Sequence, residues 1–275
     1  MYFYYYRYKE NFGYALNQRI WPRLIKTELT ENLDEDEVFV GIGTLLNESL
    51  PNRKVLHVFG SGAGYGEVSS LNKQRLKIHF VRGPLTAKKL GVSNALAITD
   101  PAILLSRSEN IDLPKEYKCS FFPHHEIDSP RYKLLCESIG LNYISPTSNC
   151  DLIISEIIKS ERLICSAMHG AIVAEALRVP WLPVITDDGI LTSKWDDWAA
   201  SMDFSVNFEK LPTIWPVTKA GIVGSAVGAL KVIAVKDRLR SLSRSTKFFL
   251  GKDSILADRL IRIEEKIDSF NNSGC

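Results

Sequence analysis

RLICSAMHGAIVAEALRVPWLPVI, residues 162–185, reads as strand, short turn, helix and second strand. Leu163–Cys165 and Trp181–Ile185 are short apolar runs, and the residues between them carry apolar side chains at helical spacing. Such a βα unit implies an α/β fold with a parallel sheet. His169 and Gly170 fall where the first strand passes into the helix, the edge at which open α/β sheets hold ligands. Free N–H groups and the helix dipole favour an anion there. A histidine at that point either binds the anion or moves a proton near neutral pH, or is simply a helix-start residue satisfied by its neighbours.

Outward from this unit the same alternation occurs twice. The first half has strand candidates at Val38–Ile42, Val55–Phe59, Ile78–Val81 and Leu96–Ile98, with Pro84 opening a helix that Gly91 closes. The second has Cys119–Phe122, Tyr143–Ile144 and the two runs already named. SRSENIDLPKEYK (106–118) is polar and aperiodic, a linker signature. We therefore expect an N-terminal lobe over 1–110, a C-terminal lobe over 111–218 and a helical extension over 219–275. The extension holds one helix from about Lys219 to Arg240 and one from Ser254 to Phe270. In the latter Leu256, Leu260, Ile263, Ile267 and Phe270 form an apolar stripe that must pack on the body or on another subunit.

Thirty-four basic residues against 32 acidic ones give no global field, which argues against a nucleic-acid partner. Five scattered cysteines without a CxxC pair indicate neither a disulfide framework nor a zinc site. The start, MYFYYYRYKE, reads as an aromatic strand and lacks a secretion pattern, so a cytoplasmic protein is expected. Residues 220–235 are apolar but too short and interrupted to span a bilayer. Between Lys231 and Lys252, seven basic residues face the single acid Asp237, with Phe248, Phe249 and Leu250 interspersed. That composition suits peripheral contact with an anionic membrane, or a solvated basic helix on the protein's own body.

Further residues carry chemistry at strand ends. Arg82, in HFVRGPLT, precedes the Pro84 helix and offers a fork for carboxylate or phosphate, or a surface pair with a nearby acid. His124 and His125, in SFFPHHEID, follow the strand that opens the second lobe. The glycine turns GIGT (41–44) and GSGAGYG (60–66) admit close backbone approach but match neither GxGxxG nor a P-loop. Asp100 either orients a ligand or caps the turn before Pro101. The histidines show no HxxxH or HExxH spacing and Asp187-Asp188 is no DxD, so no metal requirement is expected. Around Asp187, Lys194, Trp195 and Asp197, an indole face beside polar groups fits a sugar; Trp195 and Trp198 as packing residues is the alternative.

Taken in order, NFGYALN (11–17), GIGTLLN (41–47), FGSG (59–62), VRGPLT (81–86), TDPAILL (99–105), PHHEID (123–128), CSAMHGAIVAEAL (165–177), VPW (179–181) and KWDDW (194–198) resemble the polysaccharide pyruvyltransferase family, particularly its exopolysaccharide members of succinoglycan or xanthan type. The resemblance implies two Rossmann-like lobes of GT-B-like architecture, phosphoenolpyruvate as donor in the cleft, a saccharide acceptor expected to be lipid-linked, and no cofactor or metal. It also implies that Asn11, Gly13, Asn17, Gly43, Ser61, Gly62, Asp100, Gly170, Lys194, Trp195 and Asp197 contribute to substrate binding. Two departures stand out: Tyr14 where many relatives carry aspartate, and Ala167 where some carry arginine.

Ketal formation from phosphoenolpyruvate needs a proton donor, cationic anchors and a base. His169 is the expected general acid/base, Arg82 the donor anchor, and His124 or His125 the second proton-transfer or phosphate-binding group. Two other functions remain open on sequence: a GT-B glycosyltransferase using a nucleotide sugar, and a catalytically idle polysaccharide-assembly protein.

Overall fold

The computed structural model describes the chain except residues 8–10, 54, 69–70, 110–111, 187–190, 213, 215–221 and 274–275, and describes only the backbone of 222–227. It divides into two compact units. The first comprises Met1–Glu109, Leu191–Val206 and Gly251–Cys275; the second comprises Asn110–Ile190 and Asn207–Leu250. The chain thus returns twice to the first unit after leaving it at Glu109.

In the first unit, β1 (Tyr2–Tyr4), β2 (Glu37–Val40), β3 (Val55–Phe59) and β4 (Leu76–Phe80) form a parallel sheet in that order. Helix α1 (Phe12–Leu24) connects β1 to β2, and α2 (Pro84–Leu90) follows β4. Gly91, at φ 70°, ends α2 in the left-handed region that glycine enters at little cost. Trp21, Phe39 and Phe59 build the centre of one face: the two phenylalanine rings stack at 4.8 Å, and the indole meets both edge-on. Helices α6 (Ser193–Ser201) and α8 (Asp253–Asn272) complete the unit. Leu256, Leu260, Ile263, Ile267 and Phe270 of α8 are all buried, and the Phe270 ring lies 5.1–5.2 Å from His57, Phe59 and His79. The stripe therefore packs on the chain's own body.

One expected strand is absent. Asn94–Leu96 is a 3₁₀ turn whose start is capped by Ser93, and only Ala97 pairs with the sheet, through an isolated bridge to Val81. The local cap captures the backbone before a ladder can extend.

In the second unit, β5 (Ser120–Phe122), β6 (Asn142–Tyr143), β7 (Leu163–Cys165), β8 (Trp181–Ile185) and β9 (Glu209–Lys210) form a parallel sheet ordered β6-β5-β7-β8-β9. Helices α3 (Pro130–Glu137), α4 (Cys150–Ile158) and α5 (Met168–Ala176) connect the strands. Helix α7 (Ile222–Ser243) packs Val235, Leu239 and Leu242 into the core of this unit. No helix among the described residues is long and apolar enough to cross a membrane. The segment after α7 is not a free aromatic surface: Phe249 pairs with Trp181 in an antiparallel bridge with rings 4.3 Å apart, and Phe248 packs on the core with Arg162 over its ring. Of the two readings of this segment, packing on the protein's own body is the one that the half-buried Phe248 and Phe249 follow.

Candidate active site

The carboxyl edge of the first sheet is assembled from the short motifs, and most of their polar side chains bind one another. Asn11 caps α1, accepting the Gly13 N–H at 3.0 Å. Asn17, fully buried, clasps the backbone of Ile42: its Oδ1 accepts the N–H at 2.7 Å and its Nδ2 donates to the carbonyl at 2.9 Å. Ser61 Oγ donates to the Gly43 carbonyl at 3.0 Å and accepts the Leu45 N–H at 3.3 Å. Asp100 accepts the Ala102 N–H at 3.0 Å, capping the turn that begins at Pro101.

Arg82 follows β4 and is wholly buried. Its Nε donates to Asp197 Oδ2 at 3.2 Å and its Nη1 to Thr44 Oγ1 at 2.9 Å, while Nη2 has no hydrogen-bond partner among the described residues. Gly62 is required beneath it, since a Cβ there would land on the guanidinium carbon. Asp197, on α6, also accepts the Thr86 N–H at 2.9 Å and the Thr86 hydroxyl at 2.6 Å. Thr86 Oγ1 in turn accepts the Ala63 N–H at 3.0 Å. The loops after β2 and β3, the start of α2 and the helix α6 are thus tied through one buried ion pair.

Placement changes what several residues can do. Asn17, Ser61, Arg82, Asp100 and Asp197 are buried and hydrogen-bond within the unit, so each helps to shape this edge. Trp195 and Trp198 are fully buried with rings 6.5 Å apart, edge to face, and Trp195 presents no ring face to a sugar. Packing, the alternative weighed for both, is what the geometry gives. Lys194 differs: its Nζ donates to the Tyr65 hydroxyl at 3.3 Å, in a largely exposed contact. Asp187 lies outside the described residues.

The carboxyl edge of the second sheet carries the histidines. β5 and β7 are neighbours in register, Phe122 opposite Cys165, so the turns that follow them start side by side. The Ser166 N–H donates to the Phe122 carbonyl at 3.0 Å, and the His124 N–H donates to Ser166 Oγ at 2.7 Å. α5 then starts at Met168 from Ala167, which supplies no side-chain cap, and its first turn holds no acidic residue. His169 is half-buried at this uncapped end. Gly170 allows α5 to close on the sheet: a Cβ would sit 2.5 Å from Phe122 Cδ1.

His124 and His125 stand in the turn after β5 with ring centroids 4.4 Å apart, and His124 Nδ1 lies 3.5 Å from Glu126 Oε2. Asp128 anchors the far end of this turn by accepting the hydroxyls of Tyr143 at 2.5 Å, Ser145 at 2.6 Å and Thr147 at 2.8 Å. Burial, and then the bond to Asp128, push the Tyr143 phenol up, so it remains a donor. Among the described residues, His124, His125 and Glu126 are the grouping whose ligand atoms come within 4.8 Å of one another, as a metal would require. All three come from one turn, and the Glu126 side chain is 72% exposed, which gives a cation little enclosure.

Residues 2–188 match the family model described as polysaccharide pyruvyl transferase. The chain belongs to the polysaccharide pyruvyl transferase family. It is also 38% identical over 206 residues to "Succinoglycan biosynthesis protein ExoV" of Rhizobium meliloti (strain 1021), an alignment covering 74% of this chain and 65% of that protein. The chain thus covers just under two thirds of that relative's length. No solved structure matches.

Within this family member, sequence reasoning missed Thr44, Thr86, Ser166 and Asp128, which fix the loops and turns around the candidates. Each lies inside a motif quoted for its neighbours. Short hydroxyl and carboxylate side chains beside glycines or prolines at strand ends were the available signal.

Proposed function

We propose that this chain transfers pyruvate from phosphoenolpyruvate onto two hydroxyls of a sugar in a surface polysaccharide or its lipid-linked precursor, as a ketal. The observation that carries the reading is the His124 N–H bond to Ser166 Oγ, which joins PHHEID and CSAMHG at one sheet edge in the second unit. Family membership supports the reaction class, and the relative's printed role in succinoglycan biosynthesis supports a polysaccharide destination. Each unit is taken as Rossmann-like, the pair being of GT-B type, and the work as cytoplasmic, at the inner face of the plasma membrane.

In the chemistry, the methylene carbon of phosphoenolpyruvate takes a proton from His169 and the central carbon becomes electrophilic. One sugar hydroxyl adds there and gives up its proton to a base. The bond from that carbon to the phosphate oxygen breaks, and the second hydroxyl adds with loss of its own proton. The products are the ketal and inorganic phosphate, with no net water and no cofactor or metal. The start of α5, which no side chain caps, suits the departing phosphate, because the helix dipole there stabilises negative charge without reorganising. His124 or His125 serves as the second proton-transfer or phosphate-binding group. Arg82 is assigned to hold the first unit's edge, its guanidinium being enclosed.

His169→Gln tests the assignment. Loss of a positioned acid/base lowers turnover by roughly 10² to 10⁴. Phosphate release at near wild-type rate by a folded His169→Gln chain would remove His169 from the chemistry.

A further inference from the structure

The carboxyl edge of the first unit bears a set of tyrosines that the pyruvyl chemistry does not use. Tyr6 is 40% exposed and Tyr65 48% exposed, large areas of aromatic surface for side chains at a ligand-holding edge. The Tyr6 and Tyr14 rings lie 4.9 Å apart at 36°. Tyr14 leans on the loop after β2, where a Cβ on Gly43 would lie 3.2 Å from its Cε1. Tyr65 belongs to the loop after β3, whose Gly64 sits against Thr44 of the neighbouring loop. Lys194 reaches Tyr65 from α6, its Nζ 3.3 Å from the hydroxyl and 5.8 Å from the ring centroid. Burial, and then the nearby Tyr65, Tyr6 and Tyr4, push the Tyr14 phenol up to about 12, so it stays protonated and able to donate.

We infer that Tyr6, Tyr14, Tyr65 and Lys194 form the platform on which the acceptor saccharide lies. The inference rests on the pyruvyl-transfer reading for the identity of its ligand as a sugar. A pyranose presents a face of C–H groups and a rim of hydroxyls. The C–H face matches the electron-rich faces of exposed phenol rings, and the rim matches phenol hydroxyls and an ammonium that donates hydrogen bonds. Tyrosine supplies this contact with little rotamer freedom to lose. The four side chains come from the segment after β1, the first turn of α1, the loop after β3 and α6, so the first unit alone supplies the surface. This gives the acceptor contact expected of Trp195 to Tyr65, while Lys194 keeps its expected place.

Saturation-transfer NMR on the full chain tests the platform without phosphoenolpyruvate. The probes are oligosaccharides of succinoglycan stripped of ketals by mild acid, and neutral tetrasaccharides of glucose, galactose and mannose. At least one probe should bind, and Tyr65→Ala and Tyr6→Ala should each weaken that binding by about two- to tenfold, with Tyr65→Trp retaining it. In the transfer assay the same alanine variants should raise the acceptor KM by a similar factor, the loss falling on KM far more than on kcat. Binding of no probe, or binding that survives both alanine substitutions together in a chain with unchanged circular dichroism, overturns the platform. A chain that binds sugar through these tyrosines yet releases no phosphate from phosphoenolpyruvate would contradict the transfer reaction and leave the platform supported.

Discussion

The buried pair Arg82–Asp197 gives the sharpest stability prediction. Both side chains are essentially inaccessible, and Asp197 accepts three hydrogen bonds, from Arg82 Nε and from the Thr86 N–H and hydroxyl. Removing the carboxylate strands a buried guanidinium whose Nη2 already lacks a partner among the described residues. Breaking a buried pair from one side costs about 3–5 kcal/mol, and an unsatisfied Thr86 N–H adds about 1 kcal/mol or more. Asp197→Leu should therefore destabilise the first unit by roughly 4–6 kcal/mol, and Arg82→Met by about 3 kcal/mol. The two together should cost less than the sum by at least about 2 kcal/mol, since no charge is then left unpaired. Hydrogen-exchange mass spectrometry across a urea series reads peptides covering α2 and α6 separately from the second unit. Additivity of the two substitutions within about 0.5 kcal/mol would refute the claim that this pair ties the edge together.

Acid should weaken the first unit through His57 and His79, whose rings stack with His57 Nδ1 3.0 Å from His79 Nε2 beneath Phe270. Burial, followed by the charges of His57, Lys266 and Lys77, lowers His79 from 6.5 to about 4, and burial lowers His57 against the pull of Glu37. The unfolded chain takes up these protons first, so stability is intact above about pH 6.5 and falls as pH drops toward 4. The full drop for His79 corresponds to roughly 3 kcal/mol, screened by its partial exposure to roughly 2. Urea midpoints at pH 7 and pH 5 check it, and a His79→Leu chain with an equally steep decline would contradict the assignment. Gly170→Ala should lower turnover at least tenfold by driving α5 off Phe122 and displacing His169; activity within twofold of wild type would show that the approach is not needed. For membrane contact, Leu230 and Ile233 on α7, 66% and 53% exposed beside Lys231 and Lys236, are the more exposed insertion candidates. Flotation with anionic vesicles should fall with salt and with Leu230→Ser plus Ile233→Ser, and equal recovery with neutral vesicles would remove the membrane role.

The α/β class with parallel sheets was legible because its strands are short apolar runs: Val55–Phe59, Leu163–Cys165 and Trp181–Ile185 match their observed bounds. The apolar stripe of α8 was equally plain from its spacing of three and four. β9, two residues of Glu and Lys, carries no periodic signal, and Leu96 looked like a strand residue because a 3₁₀ turn capped by Ser93 leaves the same apolar pattern. The return of Leu191–Val206 to the first unit was invisible, since its partners Arg82 and Thr86 lie more than a hundred positions away in the chain. The same distance explains why the ion pair of Asp197 could not be read from its motif. Motif spelling locates a residue at a sheet edge but does not say whether its side chain faces the ligand or the next loop.

The central claim is ketal formation from phosphoenolpyruvate, and one incubation addresses it directly. The full chain is mixed with phosphoenolpyruvate and ketal-free succinoglycan oligosaccharide in a buffer containing EDTA, and phosphate release is followed alongside mass spectrometry of the sugar. The account predicts equal amounts of phosphate and of a sugar heavier by one pyruvic acid less one water, with both lost in His169→Gln. Phosphate release without that increment, or sugar transfer from a nucleotide donor by the same preparation, would contradict it.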